Sequence, residues 1–301
     1  RGLGDVYKRQ CPLVYKCSET YMVRPFNSDL VLEERISDST LKAYHVGFDQ
    51  NKFRLLPLVE TIRRVIPEYA LGYHVGYNIP QTEIVDRLQE AAKTVYTTDK
   101  YKKRGEFGEL ILHLLLRDFC NTIPLISTIY FRDSPNVPAH GFDGVHITVN
   151  GDERKLWLGE SKLYQSGKDG IADLANDVTK HFNADYLRQQ FNLIPRKIPT
   201  ETPQIEYWKT LMHQHQKLDV IFSSIVIPMV CTYNSSLFVN HCNETQQYIE
   251  DFKNECEALH DEFNRKKPAS NLEIILLLLP IPDKDELNKE LDKRLKAMQV
   301  I

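Results

Sequence analysis

Asp143, Glu160 and Lys162 are the residues whose types and spacing can do chemistry. They sit in one stretch, His140 to Lys162, which reads HGFDGVHITVNGDERKLWLGESK. Two short apolar runs, Phe142–Val149 and Lys155–Glu160, flank Asn150-Gly151-Asp152, a strong hairpin turn signal. Side chains alternate faces along a strand, so Glu160 and Lys162 point one way and Ser161 the other. If Asn150-Gly151 are the central turn residues, Asp143 lies opposite Leu158. If Gly151-Asp152 are central, or the loop runs from 150 to 153, Asp143 lies opposite Glu160. These registers preserve the face, so in each of them Asp143, Glu160 and Lys162 stand together. Val145, Ile147, Leu156 and Leu158 occupy the same face nearer the turn. An apolar surface whose far end carries two carboxylates and an amine is a poor core and a candidate metal site.

Two carboxylates held close repel each other unless a cation or protons intervene. Oxygen ligands without His or Cys partners favour a hard ion: Mg2+ fits best, with Mn2+ as an acceptable substitute. Such an ion keeps waters and open positions, which suits a phosphodiester substrate, and it polarises a phosphoryl oxygen and supplies hydroxide. Lys162 would stand beside the scissile phosphate, orienting the nucleophile or neutralising developing charge. The segment Gly105–Phe119 (GEFGELILHLLLRDF) reads as a helix with Phe107, Leu110, Ile111, Leu114 and Leu115 on a wide apolar stripe. Glu106, Glu109 and His113 cluster on one flank of it, at about 100° per residue. Acids in a first turn also suit the helix dipole. Glu109, ahead of Glu106, is the candidate for completing a metal shell.

The elements that must position these groups follow from the rest of the chain. Before the acidic helix, Leu55–Ile66 and Thr82–Val95 read as amphipathic helices, and Tyr21–Phe26 and Leu41–Phe48 as strand-like pieces. Lys100–Arg104 (KYKKR) is basic, either a solvated linker or a phosphate-contacting edge. Its Lys100, Lys102, Lys103 and Arg104 are candidate DNA contacts. Ile123–Phe131 is a β-branched strand. After the hairpin, Gly167–Gln190 reads as one helix, with Lys168 at its start where backbone amides and a cation are available for phosphate. Tyr207–Gln216 reads as a helix, Leu218–Val230 as a strand, Thr245–Arg265 as a helix, Glu273–Leu279 as a buried strand and Asp283–Met298 as a helix. The order predicts an α/β (α+β) fold, a mixed sheet flanked by helices.

Composition bounds the function classes. The chain has 301 residues, 42% hydrophobic and 26% charged, which is ordinary globular material. The longest apolar run, Ile274–Leu279, is strand-sized, so no membrane partner is expected. Six scattered cysteines without a Cys-x-x-Cys pair point to a reduced, cytoplasmic protein. The net charge of −3 gives no global nucleic-acid signature, though a local basic patch suffices for phosphate contact. No Walker loop is present. His241-Cys242 and Cys256 with His260 lack compact zinc spacing. The first ten residues, RGLGDVYKRQ, lack periodicity and read as non-native carry-over.

The succession of an acidic helix, a strand, Asp143 on the next strand, Glu160-Ser161-Lys162 on the third and then a helix resembles the PD-(D/E)xK nuclease superfamily. Phe142 stands where the motif usually has Pro. The Gln-x-x-x-Tyr element of RecB-like members is not carried over, because Tyr186 precedes Gln189 and Gln190. At closer range, RGEFGELILHLLLRDF, IPLISTIYF, HGFDGVH and LWLGESKLY resemble the nuclease subunit family (HamA) of the Hachiman anti-phage defence system, best over residues 104–190. The resemblance implies a restriction-endonuclease-like core at 100–301 behind an N-terminal subdomain at 11–99, with partner docking as a candidate role for the latter. It implies a DNase acting on DNA and controlled by a helicase subunit (HamB). Asp143, Glu160, Lys162 and Glu109 are the expected catalytic residues, and Asp143, Glu160, Glu109 and Glu106 the expected metal ligands. The alternative is a catalytically inactive nuclease-fold adaptor that binds DNA or the helicase.

Overall fold

A computed structural model of the protein describes residues 24–76, 78–95, 105–127 and 141–301. Along the chain run β1 (Glu33–Ser37), β2 (Leu41–His45), β3 (Phe48–Asp49), β4 (Lys52–Phe53), α1 (Leu55–Leu71), α2 (Tyr73–Gly76), α3 (Ile84–Val95), α4 (Glu106–Phe119), β5 (Ile123–Ser127), β6 (Gly144–Asn150) and β7 (Glu153–Tyr164). Then follow α5 (Gly167–His181), α6 (Ala184–Leu193), α7 (Ile205–Leu211), α8 (Leu218–Phe222), β8 (Ile225–Asn234), α9 (Leu237–Asn240), α10 (Gln246–Lys266), β9 (Glu273–Ile281) and α11 (Lys284–Gln299). Residues 1–10, Lys100–Arg104 and His140 lie outside the described residues, as does the second half of the strand expected from Ile123.

Seven strands form one mixed sheet in the order β1-β2-β9-β8-β7-β6-β5. The pairs β2–β9, β9–β8 and β8–β7 are parallel, and the margins β1–β2, β7–β6 and β6–β5 are antiparallel. The parallel centre is covered on both sides, which is why β8 and β9 are near-continuously apolar. Their residues still divide by alternation. Ile225, Ile227, Leu276 and Leu278 join a core built with α5, α6 and α10. Val226, Val230, Leu277 and Leu279 join another with α1, α3, α4 and α11. The segment expected as an N-terminal subdomain contributes β1 and β2 to this sheet and α1 and α3 to its second layer.

Two expectations are corrected. The single helix at Gly167–Gln190 is two helices: the side chain of Asn183 accepts from Tyr186 N and starts α6, and the backbone turns at Phe182. The strand expected at Leu218–Val230 begins only at Ile225, because Leu218–Phe222 is a short helix closed by Ser223-Ser224. An apolar run carries no period to separate a buried strand from a buried helix turn. Lesser shifts concern ends. α1 runs on through Pro67 to Leu71, and the described part of Tyr21–Phe26 is a turn, with Asn27 N donating to Arg24 O.

Candidate active site

The hairpin settles into the second of the two registers. Gly144 pairs with Gly159 and Asn150 with Glu153, so Gly151 and Asp152 form the turn; the ladder ends at Gly144, and Asp143, the bend residue just beyond it, bonds Ser161 of β7. Gly151 takes φ 61°, the left-handed region that a two-residue hairpin turn demands. Val145, Ile147, Leu156 and Leu158 face the α5 side, and Glu160 and Lys162 continue that face beyond them. His146 turns to the α4 side, where its Nδ1 lies 2.7 Å from Thr122 Oγ1, and Trp157 packs there too. α4 packs closely onto the hairpin at Gly159, where an added Cβ would stand 2.9 Å from Leu112 Cδ2 and the leucine would have to shift.

α5 returns along β7 and matches it pair by pair. Tyr164 donates to Asp173; Lys162 Nζ lies 2.5 Å from Asp177 Oδ2; His181 Nδ1 lies 2.7 Å from Glu160 Oε1. Each step is four residues on the helix and two on the strand, about 6 Å and about 6.6 Å respectively, so the rungs stay in register. The His181 ring is held from outside by Tyr186 of α6, stacked at 4.9 Å and 16°, and Tyr186 meets Phe142 edge-on at 5.7 Å.

Charge crowding sets the electrostatics. Glu160 is 3% exposed, and burial followed by the field of Asp143 pushes its carboxyl up to about 7, against the bond from His181. Burial also raises Asp143, although Ser161 donates to its Oδ2 from both backbone N and Oγ at 2.8 Å. Burial alone would lower the Lys162 amine, but Asp177, Glu160 and Asp143 outweigh it and hold the amine above its usual value. The bond to Glu160 raises His181. Burial, then the carboxylates of Glu160, Asp143 and Asp177, keeps the Tyr186 hydroxyl protonated.

Of the residues singled out from the sequence, Asp143, Glu160 and Lys162 come together. Glu106 and Glu109 lie on α4, on the opposite face of the sheet from α5, and the Tyr69 hydroxyl donates to Glu109. Their first turn still approaches Asp143 through Ser161, since a Cβ at Gly108 would stand 3.2 Å from Ser161 Oγ. Lys168 is exposed at the start of α5, about 13 Å along the helix from Asp177, and does not converge on the cluster. Asp177, His181 and Tyr186 were not expected. The signal for the first two is the i, i+4 spacing of Asp173, Asp177 and His181, which makes one helix face acidic and imidazole-bearing.

The arrangement can hold a divalent ion. Among the described residues, Glu160, Asp177 and His181 offer ligand atoms within 4.8 Å of one another. Glu33, His45 and Glu244 do the same, but Arg35 fills the space between them, bonding His45 Nε2 at 2.9 Å and Glu244 at 2.8 Å. That second cluster is an ion-pair network in which the cation is already supplied.

Among the described residues, no helix is long and apolar enough to cross a membrane. No curated protein matches the chain. The family model HamA matches residues 24–295. The chain therefore belongs to the HamA family, whose role is in Hachiman anti-phage defence.

Proposed function

We propose that the chain is a divalent-metal-dependent deoxyribonuclease of PD-(D/E)xK type, the effector of its defence system, acting under the control of a helicase subunit. The observation that carries this reading is the hairpin: its last pair is Gly144 with Gly159, and Asp143 just beyond it bonds Ser161, which stands between Glu160 and Lys162.

The donor chemistry fits a divalent cation. Three carboxylates, Asp143, Glu160 and Asp177, crowd a site with one amine and one imidazole, and a divalent charge would relieve their repulsion. Asp143 and Glu160 would hold the ion, with Glu109, ahead of Glu106, proposed as a further carboxylate. Mg2+ suits an all-oxygen set, and Mn2+ would substitute. When bound, the ion supplies Lewis-acid activation of the phosphodiester and a nucleophile at neutral pH. Lys162 stays cationic beside its carboxylates and would neutralise charge developing on the phosphoryl oxygens. Ser161 orients Asp143 through two donors, and the apolar wall of Val145 and Leu158 excludes water from beneath the site. Lys168, and Lys100, Lys102, Lys103 and Arg104 upstream, are proposed as backbone contacts to DNA.

The test is cleavage of plasmid DNA by the purified chain, alone and with its helicase partner, with Mg2+ or Mn2+. Wild type is expected to cut, and Glu160→Ala and Lys162→Ala to lose about 100-fold or more of the rate. Equal cutting by wild type and both variants sinks the reading. One observation favours the adaptor alternative: Asp143 and Lys162 each already have internal partners, Ser161 and Asp177. That reading requires Asp143→Asn to leave phage protection intact.

A further inference from the structure

The α5 helix lies against Glu160 with two groups that a metal can use. One atom each from Glu160, Asp177 and His181 falls within a span of 4.8 Å. Ligands sharing one octahedral ion at about 2.1 Å stand about 3 Å apart when adjacent and about 4.2 Å when opposite. The trio therefore needs a contraction of only about half an ångström at its widest, and Glu160 Oε1 and His181 Nδ1, now at 2.7 Å, need a slight opening. Both are within the reach of side-chain torsions without moving α5 or β7.

We propose that α5 supplies two ligands, Asp177 and His181, to the divalent ion held at Glu160, and that the site consequently selects a first-row transition ion of the Mn2+ class over Mg2+. The inference rests on the metal-site reading above and deepens it, because a set of Asp143, Glu160 and Glu109 alone is all oxygen and favours Mg2+. An imidazole nitrogen is a borderline ligand: it stabilises transition ions, whereas Mg2+ prefers carboxylate, carbonyl and water.

Three features support the assignment. The His181 ring is fixed before any ion arrives, since the stack on Tyr186 at 4.9 Å and 16° leaves Nδ1 directed at Glu160. The pairing of four-residue helix steps with two-residue strand steps places Asp177 one rung from His181, on the same side as Glu160. Finally, Asp177 is shared. Lys162 Nζ sits 2.5 Å from its Oδ2, so an ion drawn to Asp177 competes with the ammonium and releases Lys162 toward a substrate phosphate. Loading the site and freeing its amine are then one event.

The experiment uses the full chain, free of any histidine tag, with Mn2+ and Mg2+ as probes. Calorimetric titration is expected to show Mn2+ binding about tenfold or more tighter than Mg2+. Electron spin echo modulation of the Mn2+-loaded protein should carry a nitrogen coupling. His181→Gln keeps a donor toward Glu160 but lacks the ring nitrogen, so it should lose that coupling and bring the two affinities together. Asp177→Asn should weaken both ions. Mn2+ bound without nitrogen coupling, at an affinity equal to that of Mg2+, overturns the α5 assignment and leaves the nuclease reading in place. Failure of wild type to bind either ion, with Glu160→Ala cutting DNA as well as wild type, overturns both. If His181→Gln does not fold, judged by circular dichroism, the wild-type nitrogen signal and ion preference decide alone.

Discussion

Ser161 sits between Glu160 and Lys162 in sequence, and alternation turns it to the opposite face of the sheet, yet it is the residue that holds Asp143. Its backbone N and its Oγ both donate to Asp143 Oδ2 at 2.8 Å. Removing the hydroxyl leaves the backbone donor, so Ser161→Ala should cost only about 1.5–3 kcal/mol in denaturant unfolding, the usual range for one bond to a charged group. Ser161→Val should cost more than Ser161→Ala. Its branched side chain meets α4 where Gly108 already stands so close that an added Cβ would be 3.2 Å from Ser161 Oγ. If the two variants unfold at the same denaturant concentration, the close approach of α4 is not what constrains this position. The residue-scale reading of Glu160-Ser161-Lys162 was legible from alternation alone. The role of Ser161 was not, because it depends on where the Asp143 side chain turns just beyond the last pair of the ladder.

The helix α4 is held to α1 by a buried ionic network. Glu68 accepts from Arg117 at 2.6 Å and lies 2.9 Å from His113 Nε2, and its side chain is 2% exposed. Burial by itself pushes the Glu68 carboxyl up, but His113 and then Arg117 outweigh it and hold it below its ordinary value. A carboxyl depressed on folding adds stability that is complete above its unfolded value and disappears as pH falls through its folded value. Unfolding measured across the acid range should therefore show a loss of stability below the normal glutamate range that Glu68→Gln removes. Glu68→Ala should cost about 3–5 kcal/mol at neutral pH, since it strands the Arg117 guanidinium in the interior. Identical acid profiles for wild type and Glu68→Gln would show that the network carries no linkage. At this scale the sequence was informative where a local signal existed: Asn150-Gly151-Asp152 marks the hairpin, and the stripe from Phe107 to Leu115 marks α4. It was silent where the outcome is tertiary. His181 and Asp177 become neighbours of Glu160 and Lys162 only because α5 lies antiparallel on β7, and nothing in the helical period says which strand that face will meet. The break at Asn183 was hidden for a related reason, since apolar spacing runs on through it into α6.

The pairing of β2 with β9 is the least local feature of the molecule and decides whether its two ends can be separated. Leu41 lies beside Leu276 and Ala43 beside Leu278, a parallel register with no turn or motif to announce it, so the sequence supports dividing the chain near residue 100 while the sheet runs across that division. The ties are numerous. Asp118 of α4 accepts from the backbone N of Phe26 and Ser28, Tyr44 packs on Phe119 at 4.7 Å, and Arg294 of α11 bonds Glu60 of α1 at 3.0 Å. Leu41, Leu58, Ile62, Val65, Ile66 and Val95 are all fully or almost fully buried. At about 1.5–3 kcal/mol each, these six side chains contribute on the order of 10 kcal/mol. That is comparable with the whole net stability of a typical domain, about 5–15 kcal/mol. A chain beginning at residue 100 loses this contribution, bares the β9 edge to intermolecular pairing, and exposes the apolar faces of α4 and α11. It should therefore aggregate on size-exclusion chromatography and show no cooperative unfolding by circular dichroism, whereas the full chain gives one cooperative transition. A monodisperse, cooperatively folded fragment that still binds a divalent ion would show instead that the site needs only the strands β5 to β9, and that β1, β2, α1 and α3 are an added layer rather than part of the foundation.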